Sequence, residues 1–270
     1  MGNGPLIMGI LNVTPDSFSD GGRYLNPRQA LARALEMERE GADLIDIGGE
    51  STRPGAGPVS AKEEMRRVLP VLERLAGRLR IPISVDTCKA AVAEAALECG
   101  AGMVNDVTAL RDARMQKVVV RAGVPVILMH MRGTPRTMQA NPRYRRLIPE
   151  ILSELKAAIA KAKAAGIPSD RILIDPGLGF GKRPEDNWAL LKGLRAFKVL
   201  GYPVVIGPSR KSFIGKLLED APVEERLFGT AAAVALGVAN GADIVRVHDV
   251  AAMRQVARVA EAVGRADGLS

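Results

Sequence analysis

Cysteine, histidine and aromatic residues are all scarce in this chain. Its 270 residues include two cysteines, two histidines, one tryptophan, three tyrosines and five phenylalanines. If Cys88 and Cys99 lie on one helix they are ~16 Å apart at 1.5 Å per residue, too far for a disulfide. A disulfide-built secreted domain is excluded, and a reducing compartment is expected. With only His130 and His248 available, no multi-histidine metal site can form. The low aromatic content argues against a base-stacking surface for single-stranded nucleic acid. No long apolar run opens the chain either: MGNGPLIMGIL stops at Asn12 without a basic leader, unlike a secretory signal or a membrane span. A cytoplasmic protein with no membrane or nucleic-acid partner is expected. The net charge of +8 fits an anionic small substrate as well as a polyanion, and salt-dependent DNA binding would reveal the latter.

What the chain does have is a repeat of short apolar runs, each followed by a helix-period segment. The runs are 6–11, 43–47, 81–85, 102–105, 124–129, 171–174, 203–206 and 243–247. Their length suits strands buried on both faces. Helices are predicted over 27–40, 60–79, 89–99, 112–121, 148–165, 184–199, 224–240 and 250–263. Phrases such as Gly41-Ala42-Asp43 and Gly241-Ala242-Asp243 place glycine where helices end. Eight βα units at about 34 residues each is the arithmetic of a (β/α)8 TIM barrel. The competing architecture is an open doubly wound sheet. It would carry a glycine-rich first turn, whereas this chain has Asn12-Val13-Thr14-Pro15. With no linker or composition break, residues 1–270 read as a single domain.

In such a barrel the active site lies at the C-terminal ends of the strands. Here those ends carry Asn12, Asp46 to Glu50, Asp86, Asn105-Asp106, Met129-His130, Asp175, Ser209-Arg210-Lys211 and Arg246 to Asp249. Period-2 alternation puts Arg246 and His248 on one face and the flanking valines on the other. Arg246, His248 and Lys211 suit a phosphate group. Asp86 and Asp175 follow apolar runs and must find hydrogen-bond donors. With Asn105 they form an acceptor-rich floor for a heterocycle bearing amino and ring N–H groups. Three long connections, 13–26, 50–59 and the arginine-rich 131–146, have the length of lids or binding loops. Gly177-Leu178-Gly179-Phe180-Gly181-Lys182 looks like a phosphate loop but has Pro176 and Arg183 where a Walker motif needs Gly and Ser or Thr.

Several of these segments resemble one enzyme family. Met8 to Gly22 (MGILNVTPDSFSDGG) and Asp46 to Gly55 (DIGGESTRPG) are similar to two long signatures of the dihydropteroate synthases. Ser84-Val85-Asp86-Thr87, Val104 to Val107, Met129 to Pro135, Asp175 to Phe180, Ser209 to Phe213 and Arg246 to Asp249 resemble further blocks, in order along nearly the whole chain. Departures are Thr108-Ala109, where Ser-Gly is usual, and Cys88. The resemblance implies a transferase of folate biosynthesis that joins 4-aminobenzoate to a dihydropterin hydroxymethyl diphosphate. Dihydropteroate and diphosphate are the products, and sulfonamides inhibit the reaction.

The resemblance also assigns roles. Asp86, Asn105, Asp175 and Lys211 would hold the pterin, with Met129 and Phe180 packed on the ring. Asn12, Arg246 and His248 would hold the diphosphate, with Mg²⁺ on Asn12, and Ser209 would bind substrate. Thr52, Arg53, Pro54, Phe18 and Ser212 would form the aminobenzoate pocket. Arg246, His248, Lys211 and Asp86 would act in catalysis, and a homodimer is implied. Rival readings are a pterin-binding corrinoid methyltransferase barrel, which has no use for the two loop signatures, and a pterin-phosphate binder without turnover.

Overall fold

Period-2 alternation organises the molecule into two concentric cores. In the computed structural model, which describes residues 4–14, 26–53 and 55–266, eight parallel strands run β1 (Leu6–Asn12), β2 (Leu44–Gly48), β3 (Ile83–Asp86), β4 (Met103–Asp106), β5 (Val126–Met129), β6 (Ile172–Asp175), β7 (Val205–Ile206) and β8 (Ile244–Val247). They are ordered β6-β5-β4-β3-β2-β1-β8-β7. A parallel bridge from Ile174 to Val204 joins the two outer strands, so the sheet closes into the predicted (β/α)8 barrel. Met8, Leu44, Ile127, Leu173, Val205 and Ile244 fill the barrel interior as one apolar cluster. Their neighbours in sequence, such as Ile7, Ile45, Val126, Ile174 and Val245, face outward into the larger core beneath the helices. Two residues further along each strand the interior changes character. Above Leu44 comes Asp46, above Met103 comes Asn105, above Leu173 comes Asp175, and above Ile244 comes Arg246. The apolar plug thus supports a polar layer at the C-terminal mouth.

The helices are α1 (Pro27–Glu40), α2 (Ala61–Leu75), α3 (Ala90–Glu98), α4 (Ala113–Ala122), α5 (Leu147–Ala164), α6 (Pro184–Lys192), α7 (Ser212–Leu217), α8 (Leu227–Ala239) and α9 (Val250–Arg265). α1 has the predicted bounds because both ends carry strong signals. The Asn26 side chain accepts from the Arg28 amide at 2.9 Å, Pro27 opens the first turn, and Gly41 closes the helix at φ 95°.

Elsewhere the structure departs from the sequence reading. The segment 184–199 is α6 followed, after Gly193, by a 3-10 stretch from Leu194 to Leu200. The segment 224–240 opens with a 3-10 turn from Val223 to Arg226, and α2 ends at Leu75. α7 was not anticipated, since six residues show no helical period. Cys88 and Cys99 flank α3 rather than lying within it, and both are free. Among the described residues no helix is long and apolar enough to cross a membrane.

Candidate active site

The strand ends converge on one cavity of about 800 Å³ at the mouth of the barrel. Asn12, Asp86, Asn105, Met129, Asp175, Phe180, Ser209, Lys211, Ser212, Arg246 and His248 all line it, as do Thr52 and Arg53 from the loop after β2. Two of the predicted site residues, Phe18 and Pro54, lie outside the described residues.

The floor is a network of buried charge. Arg246 forks between two acids, with Nε donating to Asp46 at 2.6 Å and Nη2 to Asp86 at 2.8 Å. Asn105 donates to the same Asp46 oxygen at 3.0 Å. The other Asp86 carboxylate oxygen is buried with no hydrogen-bond partner among the described residues. Burial pushes the Asp86 carboxyl up to about 7, against the pull of Arg246 and with the push of Asp46. Asp175, also raised by burial, accepts from the Gly177 amide at 2.6 Å. Gly177 itself admits no side chain: its φ is 72° and a Cβ would stand 2.0 Å from the His130 carbonyl oxygen. Opposite these acids, Lys211 donates to the Leu178 carbonyl and lies 4.1 Å from the Phe180 ring centre. Burial lowers Lys211 to about 7, opposed by Asp175. Acids raised and a lysine lowered describe a site held short of full charge by desolvation. A ligand bringing N–H donors to the acids and a carbonyl to the lysine restores those charges.

The second half of the cavity is basic. His248 meets Ser209 Oγ through Nδ1 at 2.9 Å and Asn12 Nδ2 through Nε2 at 3.4 Å. Burial, then the charges of Arg246, Arg210 and Arg53, hold its imidazole well below the usual histidine range. Arg210 is fixed by Asp249 at 2.6 and 3.0 Å. An anion entering here meets a neutral imidazole, a serine hydroxyl, the Asn12 amide and two guanidiniums.

Arg246 and His248 do share the interior face, as the alternation required. Arg246, however, spends Nε and Nη2 on the floor acids, so an anion must be met by its remaining guanidinium donors. Three other groups at the site carry roles that the sequence reading did not assign. Asp46 is fully buried and anchors both Arg246 and Asn105; an acid inside the apolar run LIDIG was the available signal. Lys182 lines the cavity and binds His130 Nδ1 and the Phe180 carbonyl, both at 3.0 Å. Burial lowers it to about 7. His130 continues outward to Glu154 at 3.1 Å and is kept neutral by burial, its pKa near 4.

Residues 8–248 match the model of the pterin binding enzymes. A dihydropteroate synthase of Bacillus subtilis is 51% identical over 257 residues, covering 95% of this chain and 86% of that protein. The chain belongs to the dihydropteroate synthase family. Among solved structures, the Yersinia pestis dihydropteroate synthase with a sulfonamide drug superposes with TM-score 0.94 at 44% identity, covering 97% of this chain and 96% of that one. The Xanthomonas albilineans dihydropteroate synthase in complex with 7,8-dihydropteroate gives 0.87 at 45% identity, with 97% and 95% covered. Membership in the dihydropteroate synthase family accounts for a cavity with an acceptor floor at one end and a basic pocket at the other.

Proposed function

We propose that the protein condenses 4-aminobenzoate with 6-hydroxymethyl-7,8-dihydropterin diphosphate, giving 7,8-dihydropteroate and diphosphate. The observation that carries this reading is the unpartnered Asp86 oxygen, set in a floor that also holds Asn105 and Asp175. Such a floor takes the amino and ring N–H edge of a pterin, while Lys211 donates to its carbonyl. The diphosphate then falls on Asn12, Ser209, Arg246 and His248. The bond between the hydroxymethyl carbon and the ester oxygen breaks, and its electron pair leaves with diphosphate. The aniline lone pair forms the new C–N bond, and the nitrogen loses a proton. An aniline nitrogen is already nucleophilic, so the residues act mainly on the leaving group. Arg246 and the hydrogen-bonded His248 stabilise its developing charge, and Asp175 and Asn105 stabilise positive charge spreading into the pterin ring.

The donor set decides what kind of metal fits. Among the described residues no three acidic, histidine or cysteine side chains converge into a metal cage. The Asn12 amide oxygen at the end of β1 would hold a Mg²⁺, an ion that needs few protein ligands. When bound, that ion supplies charge neutralisation for the departing diphosphate. Thr52 and Arg53 from the loop after β2, and Ser212 at the start of α7, receive the aminobenzoate. Sulfonamides compete there.

A homodimer is supported by exposed apolar side chains on two adjoining helices, Phe228 and Leu236 on α8 and Val259 and Val263 on α9. Free cysteines suit a cytoplasmic location. The test is an assay with the pterin diphosphate and labelled 4-aminobenzoate, with and without Mg²⁺. Labelled dihydropteroate with equimolar diphosphate supports the reading. Pterin binding without product would instead favour a non-catalytic binder.

A further inference from the structure

The loop after β2 is fastened at both ends by a cluster at the edge of the main cavity, which Glu50 lines. Glu50, at the start of the loop, accepts Lys89 Nζ at 2.5 Å on one oxygen and the Val59 amide, at the loop's far end, at 2.8 Å on the other. The same Lys89 Nζ reaches Glu64 on α2 at 2.6 Å. Glu64 is fully buried, and its second oxygen has no partner among the described residues. From the other side, the Lys89 amide donates to Thr87 Oγ1 at 3.2 Å, and the Thr87 amide donates to the Asn105 carbonyl at 3.1 Å. A continuous hydrogen-bonded path therefore runs from the floor residue Asn105 to both ends of the segment 50–59.

Two carboxylates and one ammonium form an expensive way to join helices, because apolar side chains of the same volume do so at lower cost. What apolar packing cannot do is grip this loop, whose sequence STRPGAGP offers few apolar anchors. We propose that Lys89, with Glu50 and Glu64, is a positioning residue for the second substrate. The cluster sets Thr52 and Arg53 at a fixed offset from the pterin floor, although Lys89 and Glu64 do not line the cavity themselves. This inference rests on the condensation reading above.

Steady-state kinetics with both substrates and Mg²⁺ test it. In Lys89→Met the KM for aminobenzoate should rise roughly tenfold or more, because the loop that carries Thr52 and Arg53 loses its anchor. The KM for the pterin diphosphate should stay within about twofold, because only one substrate's uniform binding is removed. Lys89→Arg should recover most of the loss. Lys89→Met leaves two carboxylates facing each other; if it does not fold, Glu50→Ala, which keeps the Lys89–Glu64 pair, must show the same selective rise. Equal rises in both KM values, a fall in kcat alone, or unchanged kinetics would overturn the proposal. A wild-type protein that makes no product refutes the condensation reading instead. Calorimetry of aminobenzoate in the presence of diphosphate then still decides the positioning role, since affinity lost in Lys89→Met supports it and equal affinity rejects it.

Discussion

Removing the Arg246 guanidinium should weaken the fold before any ligand is added. Arg246 holds Asp46 at 2.6 Å and Asp86 at 2.8 Å, and Asp46 is fully buried. Arg246→Ala strands both carboxylates, and breaking a buried ion pair typically costs about 3–5 kcal/mol. For a domain of this size each kcal/mol lowers the melting temperature by roughly 2–4 °C. The expected drop is therefore roughly 6–20 °C in ligand-free protein. Its pH dependence has a definite sign. Asp86 is raised above its unfolded value, to about 7. The stability associated with its proton is thus present in acid and lost as the pH rises through about 7. The variant raises that pKa further, so its deficit should be largest above pH 7 and shrink towards pH 5. Thermal melts of both proteins across this range provide the assay. A variant melting within about 2 °C of wild type at pH 8 would refute the ion-pair account, because a broken buried pair cannot cost so little. In binding, the variant should lose more affinity for the diphosphate ester than for a pterin without phosphates; equal losses would confine Arg246 to the floor.

Asp175→Asn should weaken pterin binding by about 2–4 kcal/mol, since a charged acceptor facing ligand N–H groups becomes partly a donor; calorimetry with a phosphate-free pterin reads this directly, and unchanged affinity contradicts the floor. His130 is neutral in the fold down to about pH 4 but titrates near 6.5 when unfolded, so the stability it contributes is lost as pH falls between these values. His130→Gln should remove about one proton from the slope of unfolding free energy against pH there, and an unchanged slope contradicts the assignment. A sulfonamide titrated into protein alone should give little heat, and into protein with diphosphate and Mg²⁺ a clear isotherm, if the anion completes the second pocket; equal affinities would show a preformed pocket.

The barrel was legible because each strand announces itself twice, by an apolar run and by the polar residue that ends it. Asp86, Asp175 and Asn105 were found on that signal alone, and the Arg246–His248 pair on period-2 alternation. Asp46 stands with the strand-end polar residues, yet its role is invisible locally, because it comes from holding Arg246 and Asn105 across the closed barrel. Lys89, Glu64 and Lys182 had no local signal. Their roles exist only through partners 25 to 52 residues away, which spacing along the chain does not reveal. α7 was missed because its six residues are too few for a period. The unforeseen commitment of Arg246 to Asp46 is likewise a property of the closed barrel, joining residues 200 positions apart.

A crystal structure with bound pterin diphosphate tests the central claim most directly. The amino and ring N–H edge should lie against Asp86, Asn105 and Asp175, with Lys211 on the carbonyl and the phosphates on the Asn12, Ser209 and His248 side. A pterin ring bound anywhere else, or one turned so that its carbonyl faces the acids, would contradict the account.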